Sequence, residues 1–168
     1  DKSVEQITPS LHALEKAGEK WNCQSILTYP NDDAGGRTII RELEKLATRQ
    51  LPYIQVHRSL GRFIYHGLLN VASACIGNSS SGIKETPAFH CPFVNIGTRQ
   101  QGRLRGENVI DVGYDTVEIM DALELSLTSR EFQNRILASN NPYNAGGAGP
   151  AIADILATIS IDHKLIQK

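Results

Sequence analysis

Along this chain short β-rich runs alternate with stretches whose apolar residues recur at helical spacing. Residues 3–18 read as a helix, and Gln24 to Tyr29 as a strand closed by the turn residues Pro30 and Asn31. Ala34 to Thr48 carries Ile39, Ile40, Leu43 and Leu46 at helical spacing. Pro52 breaks the chain before the strand Tyr53–His57. A helix from about Gly61 to Ser73 presents Ile64, Leu68 and Val71, and Ala74-Cys75-Ile76 runs into Gly77 as a short, fully apolar strand of the kind found in the middle of parallel sheets. Ser79 to Gly82 opens a helix reaching about Phe89, Pro92–Gly97 is a fourth strand, and Asn108–Val112 a fifth. Between these two strands, residues 97–107 predict an ordered polar loop. Val117, Met120, Leu123 and Leu127 predict a helix, Asn140–Pro150 a flexible loop, and Ile152, Ile155, Leu156 and Ile159 a terminal helix. Repeated strand-helix-strand order with right-handed crossovers predicts an α/β fold, a three-layer, doubly wound parallel sheet.

A length of 168 residues suits one domain with a real core and makes two full domains unexpected. Lys and Arg number 17 against 18 Asp and Glu, a formal net charge of -1, so no global field recruits nucleic acid or an anionic membrane. Any anion must be caught locally. No apolar run approaches the ~18 residues of a membrane helix. Cys23, Cys75 and Cys91 form no CxxC pair and have no histidine at zinc spacing, so they read as reduced packing thiols with no metal. The start at Asp1 lacks both a signal-peptide pattern and an initiator Met, so a cytoplasmic protein and a processed or excised fragment are expected.

In doubly wound sheets ligands bind beyond the carboxyl ends of the strands. The residues there are Asn31-Asp32-Asp33-Ala34-Gly35-Gly36-Arg37, His57-Arg58-Ser59, Gly77-Asn78-Ser79-Ser80-Ser81-Gly82 and Gly97-Thr98-Arg99-Gln100. The third group is the most specific. Three serines and a glycine at a helix start aim backbone N–H groups and hydroxyls at one point, where a phosphate fits. A single N-cap needs only one serine, and no GxxxxGK[ST] frame is present. Glu85 lies about one and a half turns further on, where a carboxylate can accept hydrogen bonds from vicinal ribose hydroxyls; a solvated helix glutamate is the plainer alternative. Arg99 can turn its fork of donors to a diphosphate, whereas Arg103 and Arg105 read as surface charges. His57 reads as structural, and His12, His66, His90 and His163 as bland. Asp32 and Asp33 are adjacent and should diverge, which argues against a carboxylate dyad. The residues alone therefore give a nucleotide-diphosphate-binding domain with no complete catalytic set and no cofactor.

The run from Gly77 to Glu85, the run Pro92 to Arg103 containing Thr98-Arg99-Gln100, and Glu107-Asn108-Val109 resemble the hydrolysing UDP-N-acetylglucosamine 2-epimerases. Tyr29-Pro30-Asn31 with Asp33-Ala34-Gly35 agrees, and the similarity covers roughly residues 1–167. The resemblance implies the Rossmann-like, C-terminal, UDP-binding half of a glycosyltransferase-B-type fold, with the N-terminal domain and the first strand of this domain outside the sequence. It implies an enzyme converting UDP-GlcNAc and water to N-acetylmannosamine and UDP through a glycal, for sialic or related nonulosonic acid synthesis.

By motif position Ser79 and Ser80 would bind the diphosphate and Glu85 the ribose. Asn31 and Arg99 would also touch UDP, and the segment at His57 and Arg58 would flank the uracil. The catalytic carboxylates would lie in the N-terminal domain, so no turnover is expected from this polypeptide alone. Arg41 matches one arginine of the CMP-sialic acid feedback site of animal members, while Glu44 stands where a second would be. The donor domain of a glycosyltransferase and a non-enzymatic module remain alternatives. Homo-oligomerisation is expected through surface the missing parts would cover.

Overall fold

The computed structural model describes residues 2–31, 33–144, 146–160 and 162–166. Its elements are α1 (Lys2–Trp21), β1 (Ser25–Thr28), α2 (Gly36–Thr48), β2 (Ile54–His57), α3 (Gly61–Val71), β3 (Cys75–Gly77) and α4 (Ser80–Lys84). A 3-10 turn (Thr86–Phe89), β4 (Phe93–Ile96), β5 (Val109–Val112), α5 (Thr116–Thr128), α6 (Arg130–Ala138), α7 (Ala148–Thr158) and α8 (His163–Ile166) follow. All five strands pair in parallel, as the α/β pattern predicts.

Among the described residues the strands form two hydrogen-bonded sets, β1-β2 and β3-β4-β5. β1 and β3 therefore each keep one edge without a ladder partner. Helix α1 joins the sets by packing against both α2 and α5. Its Leu11 enters a core with Leu43, Leu46, Leu27 and Val56 over the first set. Ala13 and Ala17, one turn along, enter a second core with Val94, Ile96, Ile119 and Leu123 over the other. Small residues at those two positions let α1 approach closely.

β4 is buried along its whole length. Val94 and Ile96 face α1 and α5, while Phe93 faces α4, so helices cover both sides of this strand and make three layers there. The β1–β2 pair is covered on one side, and Ile26 on its other face is 41% exposed.

Several helices depart from the expected pattern, and the one expected from Ser79 to about Phe89 is divided into α4 and the 3-10 turn. Asp115 caps α5 through its carboxylate, and Val117 is exposed because it lies about 200° round the helix from Ile119, opposite the buried stripe Ile119, Ala122, Leu123 and Ser126. A separate helix, α6, follows immediately, capped by Ser129, whose Oγ accepts from the Phe132 N–H at 3.2 Å. The terminal helix α7 starts at Ala148, inside the expected loop, and Ile152, Ile155 and Leu156 on it are exposed.

The packing of α4 on β4 fixes the site's position. A Cβ on Gly82 would overlap the Phe93 ring, so glycine is required there for contact rather than for a turn. We expect Gly82→Ala to cost about 1–3 kcal/mol through overpacking, read as a lower denaturant midpoint at unchanged m-value; an unaltered midpoint would contradict this placement.

Candidate nucleotide site

A cleft of about 690 Å³ opens beside the carboxyl ends of β1 and β2. It is lined by Tyr29 and Asn31 after β1, by Arg58 and Arg62 around the start of α3, by Tyr65 and His66 on α3, and by Glu85 at the end of α4. Three of the residues expected from sequence, Asn31, Arg58 and Glu85, thus meet on one wall. Glu85 is the one carboxylate among the described lining residues.

Ser79, Ser80 and Arg99 do not line this cleft. Ser79 is the N-cap of α4, its Oγ accepting from the Ser81 N–H at 3.3 Å. Helix α4 has only five residues, so its dipole is small and anion binding at the serine turn rests on individual amides and hydroxyls. Ser80 makes no side-chain hydrogen bond among the described residues. The Ser81 hydroxyl lies 2.6 Å from the Tyr65 hydroxyl, which joins the serine turn to the cleft wall. Gly77, at φ +146, turns the chain out of β3 into this segment in a conformation that favours glycine.

Arg99 donates from Nη2 to Asp33 at 2.6 Å, bridging the loops after β4 and β1. Asp32, its neighbour, lies outside the described residues, so the divergence of the two carboxylates is not addressed. Gln100 beside Arg99 is buried, and its Nε2 donates to the Asn78 carbonyl at 2.7 Å, tying the two motif loops together. Arg105, expected as a surface charge, is instead a brace. It pairs with Asp111 on β5 and donates to the Gln100 carbonyl at 3.0 Å, so the loop over residues 97–107 is ordered by its own polar contacts. Asn108 is buried and its Nδ2 donates to Thr86 Oγ1 at 2.8 Å and to the Cys91 carbonyl at 2.7 Å.

Glu44 accepts from the Tyr29 hydroxyl at 3.0 Å, and this contact, with desolvation second, raises the Tyr29 pKa. The residue that departs from the animal feedback pattern thus props the segment leading to Asn31.

Sequence reasoning missed Arg62, Tyr65 and His66. Their spacing of three and four residues on the helix that follows Arg58 places them on one face beside the expected rim, a signal that was available in the sequence. His57 is exposed and does not line the cleft.

Residues 1–157 match the family described as UDP-N-acetylglucosamine 2-epimerase. The chain is 38% identical over 120 residues to the GDP/UDP-N,N'-diacetylbacillosamine 2-epimerase (hydrolyzing) of Campylobacter jejuni, covering 71% of this chain and 30% of that protein. It is 35% identical over 138 residues to the UDP-N-acetylglucosamine 2-epimerase of Neisseria meningitidis, covering 80% and 32%. The chain therefore spans about a third of the length of these relatives. The crystal structure of Methanocaldococcus jannaschii UDP-GlcNAc 2-epimerase in complex with UDP-GlcNAc and UDP superposes with a TM-score of 0.70 at 18% identity, over 91% of this chain and 41% of that one. The fold is a Rossmann-like half of the glycosyltransferase-B type found in these enzymes.

All three cysteines are free. Burial pushes the Cys75 thiol up to about 11 and the Cys91 thiol up to about 12. Burial likewise takes the Tyr65 hydroxyl, next to Cys75, up to about 12. These are packing thiols, not nucleophiles. At pH 8 we expect Cys75 and Cys91 of the native protein to alkylate at least roughly a hundredfold slower than in denaturant, as peptide mass mapping would read; prompt native labelling at either site would contradict their burial.

Proposed function

Because the chain belongs to the UDP-N-acetylglucosamine 2-epimerase family, we propose that it is the UDP-binding half of a hydrolysing 2-epimerase. The observation that carries this reading is the convergence of Asn31 and Arg58, from the junctions after β1 and β2, and Glu85, from the end of α4, on one cleft of nucleotide size. Glu85 accepts from the ribose hydroxyls, and Arg58 and Asn31 flank the base. The Ser80 hydroxyl, the amides around Ser79 and the Arg99 guanidinium take the diphosphate. The Arg99–Asp33 pair is exposed on both sides, and such pairs are worth about 0–1 kcal/mol, so a diphosphate competes for Arg99 at little cost.

The substrate class is a UDP-linked N-acetylated amino sugar, in keeping with the names of the C. jejuni and N. meningitidis relatives. Loss of UDP by elimination, followed by hydration of the resulting glycal, needs a general acid and a general base near the sugar. One carboxylate in the cleft, assigned to the ribose, supplies neither. The acid–base pair belongs to a further N-terminal domain of the whole protein, and this polypeptide alone does not turn over. The unpaired edges of β1 and β3 suit one more parallel strand from that preceding segment. The exposed apolar residues of α7 suit a covering domain or a second copy. No helix among the described residues is long and apolar enough to cross a membrane, and three unpaired thiols suit the cytoplasm.

Ligand binding to the folded state alone stabilises it by about 2.7 kcal/mol at a hundredfold excess over Kd. Millimolar UDP is therefore expected to raise the Tm of the gene product containing residues 1–168, and the double variant Ser80→Ala, Glu85→Ala to abolish that shift. An unshifted native melting curve would sink the assignment. With UDP-GlcNAc as substrate the full gene product should release free N-acetylmannosamine; a glycosylated acceptor instead would favour a glycosyltransferase.

A further inference from the structure

His66 Nε2 lies 2.7 Å from Glu85 Oε2, and both residues line the cleft. An ionised carboxylate only accepts, so the imidazole carries a proton on Nε2 and donates it. The ring of His66 is itself held: Phe89 lies 5.3 Å away at 46° and Tyr65 6.0 Å away at 45°, both measured between ring centroids. Tyr65 is fixed in turn through the Ser81 hydroxyl. The histidine therefore belongs to an aromatic row at the cleft wall, 34% exposed in its side chain, beside a glutamate 41% exposed in its own.

Resting on the assignment of Glu85 to the ribose, we propose that His66 is a positioning residue that pre-sets the Glu85 carboxylate for a ribose diol and so makes the site discriminate by the sugar's hydroxyls. A free glutamate side chain loses roughly 1.5–2 kcal/mol of rotamer freedom when it is fixed. A donor mounted on a rigid ring takes most of that ordering before the ligand arrives, which is how preorganisation raises affinity. Each carboxylate oxygen carries two acceptor sites. His66 occupies one on Oε2, leaving Oε1 and the second site of Oε2 for two vicinal hydroxyls. The base and the diphosphate do not depend on this contact, so its effect is confined to the ribose.

The measurement is the Kd of UDP and of its 2′,3′-dideoxy analogue, by calorimetry on the gene product containing residues 1–168. The ratio of the two reports discrimination. His66→Phe keeps an aromatic ring in the row and removes the donor, His66→Ala removes both, and His66→Gln returns an N–H donor of similar reach. His66→Phe and His66→Ala are each expected to lower the ratio roughly five-fold with the dideoxy Kd unchanged, and His66→Gln to restore most of it. A purely structural histidine would weaken both ligands alike. That outcome, or a native ratio in both donor-less variants, overturns the inference if Glu85→Ala still collapses the ratio. Should Glu85→Ala leave the ratio native, the ribose assignment itself fails.

Discussion

The architecture depends on one helix burying two different stripes at once. Leu11 of α1 fills the core over β1 and β2, while Ala13 and Ala17 fill the core over β4. These two strand sets share no ladder among the described residues, so nothing in the hydrogen bonding of the sheets fixes their spacing. The cleft draws Asn31 and Arg58 from the first set and Glu85 from the second. Its dimensions consequently depend on side-chain volume on α1, together with the contacts Tyr65–Ser81, His66–Glu85 and Arg99–Asp33 that span the two sides. Interiors are close-packed and respond to a single methylene, so the small size of the alanines is a functional specification written in the core.

Around the cleft, residues to which a linear reading gives no binding role hold the motif loops in place. Gln100 anchors the Arg99 loop to the serine turn, Asn108 staples the segment after α4 to the start of β5, and Arg105 braces the loop between them. Buried amides of this kind are costly unless paired, and here their N–H groups pair between the motif loops, while Gln100 Oε1 and Asn108 Oδ1 make no hydrogen bond among the described residues. The motif is therefore held as a unit, with the exposed Arg99 at its edge and Glu85 in the cleft wall.

The fold was legible in the sequence wherever burial imposed a period. All five strands stand near their expected bounds, and the strand-end residues Asn31, Arg58 and Glu85 face one cleft. What escaped was decided by geometry that periodicity does not encode. The division of the sheet is a matter of which edges meet, not of which residues are apolar. Helix α6 was hidden because its start at Ser129 directly follows α5, leaving no loop signature. Val117 is apolar yet exposed because burial of Ile119, Ala122 and Leu123 fixes the rotation of α5 and leaves Val117 on the opposite face. The place of His66 beside the rim was readable from its helical spacing, but its contact with Glu85, nineteen positions away, was not.

The charges at the site are held in two pairs of different kinds, and the difference bears on how a nucleotide enters. Arg99 and Asp33 are both exposed, one donor of a five-donor fork meeting one carboxylate oxygen, so the guanidinium can exchange or share its partner. His66 and Glu85 lie between aromatic rings and cleft wall, and the histidine's contact leaves most of the carboxylate's acceptor capacity open. On the proposed assignment, one pair yields its cation to an incoming anion, while the other keeps its anion in place for neutral hydroxyls. A ligand bearing two phosphates at one end and a diol in the middle satisfies both at once, whereas inorganic phosphate could satisfy only the first. In a chain with net charge -1, local arrangement of this kind, rather than a global field, has to supply the selectivity.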